Sequence, residues 1–137
     1  MKRILPLFAA LCFGLLTLSS CSKDPSTIDW LKRTVWTANV SCVEGYESGT
    51  ITIQFIAGGY KFQAELKEKD GPSSNISAQT FVEIDYHFPS ITIPFPRNDQ
   101  EFIYWQGTFT EDQKELRFAF FELPYQGTPL RNLVFRR

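Results

Sequence analysis

Beyond Arg33 the chain alternates apolar and polar side chains almost residue by residue, and this period of two is the strongest constraint on its fold. Trp36, Ala38, Val40 and Cys42 alternate with Thr37, Asn39 and Ser41. Ile51, Ile53 and Phe55 alternate with Thr50, Thr52 and Gln54, and Tyr60, Phe62, Ala64 and Leu66 with Lys61, Gln63, Glu65 and Lys67. Such a pattern buries one face of a β-strand and wets the other. Further strands are expected at residues 82–88, 91–95, 102–105, 116–121 and 130–136, which brings the count to eight. Phe118 and Phe120 read as inward-facing and Phe121 as outward-facing. Residues 102–105 are apolar on both faces and leave their register open.

Turn-forming residues separate these runs at 44–49, 57–59, 69–74, 96–99, 111–113 and 124–129. Connections this short cannot cross a sheet face, so successive strands should be antiparallel neighbours. The only helical signal is one short turn at residues 26–32, with Ser26 or Thr27 as its cap and Asp29 near its positive end. A sheet with one apolar face must either close on itself or pack as two layers. The expected fold is all-β, a single eight-stranded antiparallel up-and-down barrel, which removes both sheet edges. A two-sheet sandwich is the alternative.

The first 20 residues stand apart from this domain. Lys2 and Arg3 precede an apolar run over residues 4–18, followed by Leu18-Ser19-Ser20-Cys21. That box resembles the lipobox of bacterial lipoproteins. The resemblance implies cleavage before Cys21 and acylation of Cys21, with its acyl chains as the link to a membrane. Roughly 20 apolar residues span a bilayer, and this run is shorter. The expected organisation is a signal peptide at 1–20, a tether at 21–29 and the barrel at 30–137. Ser22 after the cysteine resembles an outer-membrane sorting signal, so a lipid-anchored outer-membrane protein is expected, either face being open. Cleavage removes Lys2, Arg3 and no acidic residue, moving the formal charge from −1 to −3. Cys42 is then the one remaining thiol, so neither an internal disulfide nor a thiolate zinc site is expected.

Charge balance excludes a nucleic-acid binder that works by bulk electrostatics, with 14 basic against 15 acidic residues. Glu83, Asp85 and His87 share one strand face, but same-face neighbours lie about 6.6–6.8 Å apart, so the outer two are about 13 Å apart, beyond one ion's shell, and a site would need Glu101 or another residue from a neighbouring strand. His87 is the only histidine, and it should point away from Cys42, which disfavours a nucleophilic dyad. No phosphate loop, dinucleotide fingerprint or zinc-peptidase helix occurs. A non-enzymatic protein without a cofactor or metal is expected.

The residues also resemble a lipocalin-type, calycin-like barrel. A turn precedes Trp36 in the first strand, and Leu133-Val134-Phe135-Arg136 closes the chain. Tyr104-Trp105-Gln106-Gly107-Thr108 adds a likeness to small lipocalin-like lipoproteins of Bacteroidetes. The family's Gly-x-Trp is here Thr34-Val35-Trp36. The resemblance implies that Arg136 stacks over Trp36 at the barrel floor. If the barrel is hollow, its inward residues Trp36, Phe55, Phe62, Ile84, Tyr86, Trp105 and Phe118 would line a cup for a small apolar ligand. If it is filled, Phe81, Phe102, Tyr104 and Phe121 on the nominal outer face would suit an envelope protein partner instead. A monomer is expected in either case.

Overall fold

The computed structural model describes residues 24–43, 45–124 and 129–137, with the side chains of residues 42 and 43 outside the description. The signal peptide, the lipobox and Cys21 lie outside the described residues. A three-residue 3-10 turn at Ile28–Trp30 precedes nine strands: β1 Val35–Val43, β2 Tyr46–Ile56, β3 Gly59–Glu68, β4 Ser73–Phe81, β5 Asp85–His87, β6 Ser90–Pro96, β7 Phe102–Phe109, β8 Glu115–Phe121 and β9 Leu130–Arg136. Thr27 caps the helical turn without a side-chain hydrogen bond.

All pairings are antiparallel, in the spatial order β4-β3-β2-β1-β9-β8-β7-β6-β5. The first strand meets the last, as an up-and-down barrel requires, through Thr37 opposite Arg136. The sheet nevertheless stays open. It curls into a half-barrel of nine strands rather than a closed barrel of eight. The extra strand is β4, which takes in the last two residues of the turn expected at 69–74 and runs on through residues 75–81, for which no element was expected. Its sequence, Ser-Ser-Asn-Ile-Ser-Ala-Gln-Thr-Phe, is too polar to show an apolar face, yet every residue pairs with β3. The run expected at 82–88 keeps its alternation of half-buried and exposed residues, but only Asp85–His87 forms a strand.

The seam therefore opens between β4 and β5, which are consecutive in the chain, and β6 explains why no ladder closes it. Pro94 turns its carbonyl toward the seam, because that oxygen accepts a hydrogen bond from Tyr60 on β3 at 2.7 Å. In a strand the N–H and C=O of one residue point to the same side, so the N–H that Pro94 lacks would also face the seam. Pro96, two residues on, presents the same gap. A strand edge with prolines at alternate positions cannot donate to a neighbour. Side chains join the two lips instead: the Tyr60 hydroxyl donates to Pro94 and accepts from the buried Thr80 hydroxyl on β4.

Behind the seam the inner face is packed with rings. Trp105 of β7 lies 4.3 Å from Phe121 and 5.0 Å from Phe62, centroid to centroid, and Phe62 meets Phe95 at 5.6 Å. These distances are those of direct ring packing. Gly107 makes room for this layer, since a Cβ there would come within 2.7 Å of the Phe118 ring. One correction concerns β8: Phe121 is fully buried and Phe120 is 60% exposed. Alternation slips by one residue in β8 and β9 together. Asn132 adopts a left-handed φ of 52°, a conformation Asn tolerates better than most residues, and the slip turns Phe121 and its partner Leu130 inward.

Burial holds the Tyr60 phenol well above its ordinary range near 10, and the Thr80 hydrogen bond offsets this only in part. The folded state thus keeps a proton that the unfolded chain loses, so stability should fall as pH rises past about 10. Tyr60→Phe should lower stability by about 1–3 kcal/mol at neutral pH by unpairing buried Thr80 and Pro94 groups, and should flatten the alkaline limb. Urea unfolding of both proteins across pH 7–11 checks both effects.

Candidate functional site

The seven residues expected to line a cup fall into two groups. Trp36, Phe55, Phe62, Trp105 and Phe118 are at most 2% exposed and belong to one buried cluster, in which all but Phe55 pack directly on other rings, so they constitute a filled core. Ile84 and Tyr86 are half-buried at its margin. The Tyr86 hydroxyl is fully engaged: it accepts from Trp30 Nε1 at 2.5 Å and donates to the carbonyl of Pro25. Burial raises its pKa, and the Trp30 hydrogen bond works against that rise.

Trp30 caps one end of the half-barrel. Its ring meets Phe109 at 5.1 Å, Trp36 at 6.2 Å and Phe88 at 6.4 Å, edge to face. A cation does lie over this floor, but it is Arg137 rather than Arg136. The Arg137 guanidinium stands 5.5 Å from Trp30 and 5.6 Å from Trp36. Arg136 is exposed and pairs with Glu115 at 3.0 Å, as does Arg117 at 2.5 Å. The difference follows from strand parity. Phe135 faces inward and Arg136 therefore outward, so only the residue after the strand can return over the floor.

The concave features lie along the seam and on the outer face. Residues 82–84 bridge the seam between β4 and β5 and take part in two hollows. One, of about 270 Å³, is mostly apolar and includes Ile28, Leu31, Phe55, Ile56, Val82 and Ile84. The other, also about 270 Å³, is formed by Val82, Glu83, Pro94, Phe102 and Tyr104. A polar groove of about 360 Å³ crosses the outer face of β2, β3 and β4, between Thr52, Gln54, Lys61, Gln63, Ser77 and Gln79.

Phe102 and Tyr104 stand on the outer face of β7, 46% and 59% exposed, with ring centroids 6.2 Å apart. Register sets them opposite Pro96 and Pro94. Phe81 is 69% exposed at the end of β4. Phe120 takes the outer position expected for Phe121 and carries Arg131 over its ring at 5.6 Å. Arg97 and Glu122 form an ion pair near the same end as Phe102.

The acidic trio is solvated. His87 Nε2 lies 3.2 Å from Asp85, both side chains at least 70% exposed, and Glu83 and Glu101 are exposed. Among the described residues no three His, Cys, Asp or Glu side chains gather to hold a metal. The side chain of Cys42 lies outside the described residues. Among the described residues no helix is long and apolar enough to cross a membrane. No family model, curated protein or solved structure matches the chain.

Sequence reasoning passed over Pro94, Pro96, Thr80 and Arg137. The alternate prolines were the available signal, since residues 94 and 96 of a strand present their missing N–H groups to one side. Replacing exposed Arg137 with Gln should lower stability by about 0.5–1 kcal/mol through loss of the cation over the two indoles. Arg136→Gln should stay within about 0.5 kcal/mol of the parent. Paired urea titrations of the two variants decide between them.

Proposed function

We propose that this protein is a non-enzymatic docking module of the cell envelope, acylated at Cys21, that engages a protein partner through the outer face of β6 and β7. The observation that carries this reading is a contrast. The interior is filled by the chain's own rings, while Phe102 and Tyr104 remain in solvent beside two prolines. Ligand sites of drug-like size need a hollow of about 300–1,000 Å³, and the central rings leave no such room. Aromatic side chains on a rigid strand lose little conformational entropy on binding and are enriched among residues that dominate interface energy. Prolines opposite them stiffen the same surface. The Arg97–Glu122 pair supplies a charged rim, which suits a partner with an apolar centre and polar margin.

A second reading draws on the apolar hollow that includes Phe55 and Ile84. A small apolar ligand could seat there, outside the packed centre. The two readings differ in what Ile84→Trp does: filling the hollow removes ligand adducts from native mass spectra but leaves docking intact.

Two experiments test the main reading. A photo-crosslinking residue at position 104 should capture one discrete envelope protein in cells, whereas the same residue at exposed Asn39 should not. With the crosslinking residue moved to the next outward position of the same strand, 106, a combined Phe102→Ser and Tyr104→Ser variant should lose the crosslinked partner while keeping its unfolding midpoint. Equal capture from both positions, or from neither, would refute docking through this face. Cys21→Ser should move the protein from the membrane fraction to the soluble one, because the acyl chains supply the anchoring energy.

A further inference from the structure

The two lips of the seam are defended very differently. Strand β5 is three residues long with exposed Asp85 and His87, and the adjoining edge of β6 carries Pro94 and Pro96. Strand β4 has none of these protections. Its nine residues include no charge and no proline, and its register against β3 runs unbroken from Lys67–Ser73 to Gly59–Phe81. A long, regular, uncharged edge presents unpaired backbone groups, and natural sheets rarely leave one uncovered.

We infer that β4 pairs with β4 of a second copy, antiparallel and centred on Ser77, so that two half-barrels share one continuous sheet. The sequence of the strand is complementary to itself in this register. Asn75 then faces Gln79 of the second copy, Ile76 faces Ala78, and Ser74 faces Thr80. Ile76 and Ala78 are half-buried against the core, and the pairing would cover their remaining surface.

Charges on the flanking strands single out this register over a parallel one. On the outer face Glu65 stands opposite Asn75, Gln63 opposite Ser77 and Lys61 opposite Gln79. In the antiparallel arrangement each outer row runs from Glu65 through Asn75 to Gln79 and Lys61 of the second copy. Acid therefore meets base across the axis. A parallel arrangement would set Glu65 in line with Glu65 and Lys61 with Lys61. The ends of a row are about three strand spacings, ~14 Å, apart, so their sign biases orientation more than it adds affinity. The pairing uses the lip opposite the β6–β7 face and does not depend on the docking proposal.

Sedimentation of the full chain in a mild detergent tests this directly. The parent should form a dimer. Ser77→Lys and Ser77→Asp each place like charges face to face at the axis, and each should weaken dimerisation by about tenfold or more. An equimolar mixture of the two variants should regain the dimer. Ser77 is exposed, so at protein concentrations low enough for the parent to be monomeric both variants should share its unfolding midpoint. In addition, amide exchange over residues 73–81 should slow as protein concentration rises. A parent that stays monomeric, a dimer indifferent to both substitutions, a mixture that does not recover, or exchange independent of concentration would each overturn the inference.

Discussion

One phenol holds the two margins of this sheet together. Tyr60 sits on β3, donates to the Pro94 carbonyl on β6 and accepts from Thr80 on β4. No backbone ladder spans that gap, because β6 has no N–H to offer at positions 94 and 96. A closed barrel distributes its closure over a row of main-chain hydrogen bonds. Here the closure is concentrated in one buried side chain and the rings behind it. The curvature that brings Phe62 against Phe95 and Trp105 depends on the same approach of β3 to β6.

The filled interior follows from how an open sheet must secure its core. Lacking a complete wall, it cannot keep a dry cavity without exposing that cavity at the seam. Large rings from β3, β6, β7 and β8 meet across the centre and exclude water, with Trp105 at the hub. The aromatics left over lie outside. Phe102, Tyr104 and Phe120 cannot join the core because the strand period has already assigned their neighbours to it.

Much of this was legible in the sequence. The period of two placed β1, β3 and β6 almost to the residue, but β2 starts at Tyr46, inside the turn expected at 44–49. Short connections gave the antiparallel neighbours, and the expected closure gave the pairing of first and last strands. The polar strand β4 was invisible to that criterion, because its inner positions hold Ser74, Ile76, Ala78 and Thr80, only two of them apolar. The inversion of Phe120 and Phe121 was hidden for another reason. It depends on Asn132 in the facing strand adopting a left-handed conformation, and a simple alternation rule has no access to a slip shared by two strands. Arg137 was missed by one residue because the resemblance to lipocalin-type barrels was carried by Arg136. Of the residues expected to bind a ligand, those with the strongest inward signal proved the most deeply packed. Strong periodicity reports burial, not vacancy.

The bond from Tyr86 to the Pro25 carbonyl has a bearing on how the molecule would stand at a membrane. It fixes the chain only four residues beyond Cys21, so an acylated protein would have a leash no longer than about 14 Å. The Trp30 end would rest close to the lipid headgroups. Phe102 begins the strand that Phe109 ends beneath Trp30, which puts it about 24 Å away along that strand, toward the other end of the half-barrel. Held on so short a leash, the aromatic face would be presented to the aqueous side rather than to the bilayer.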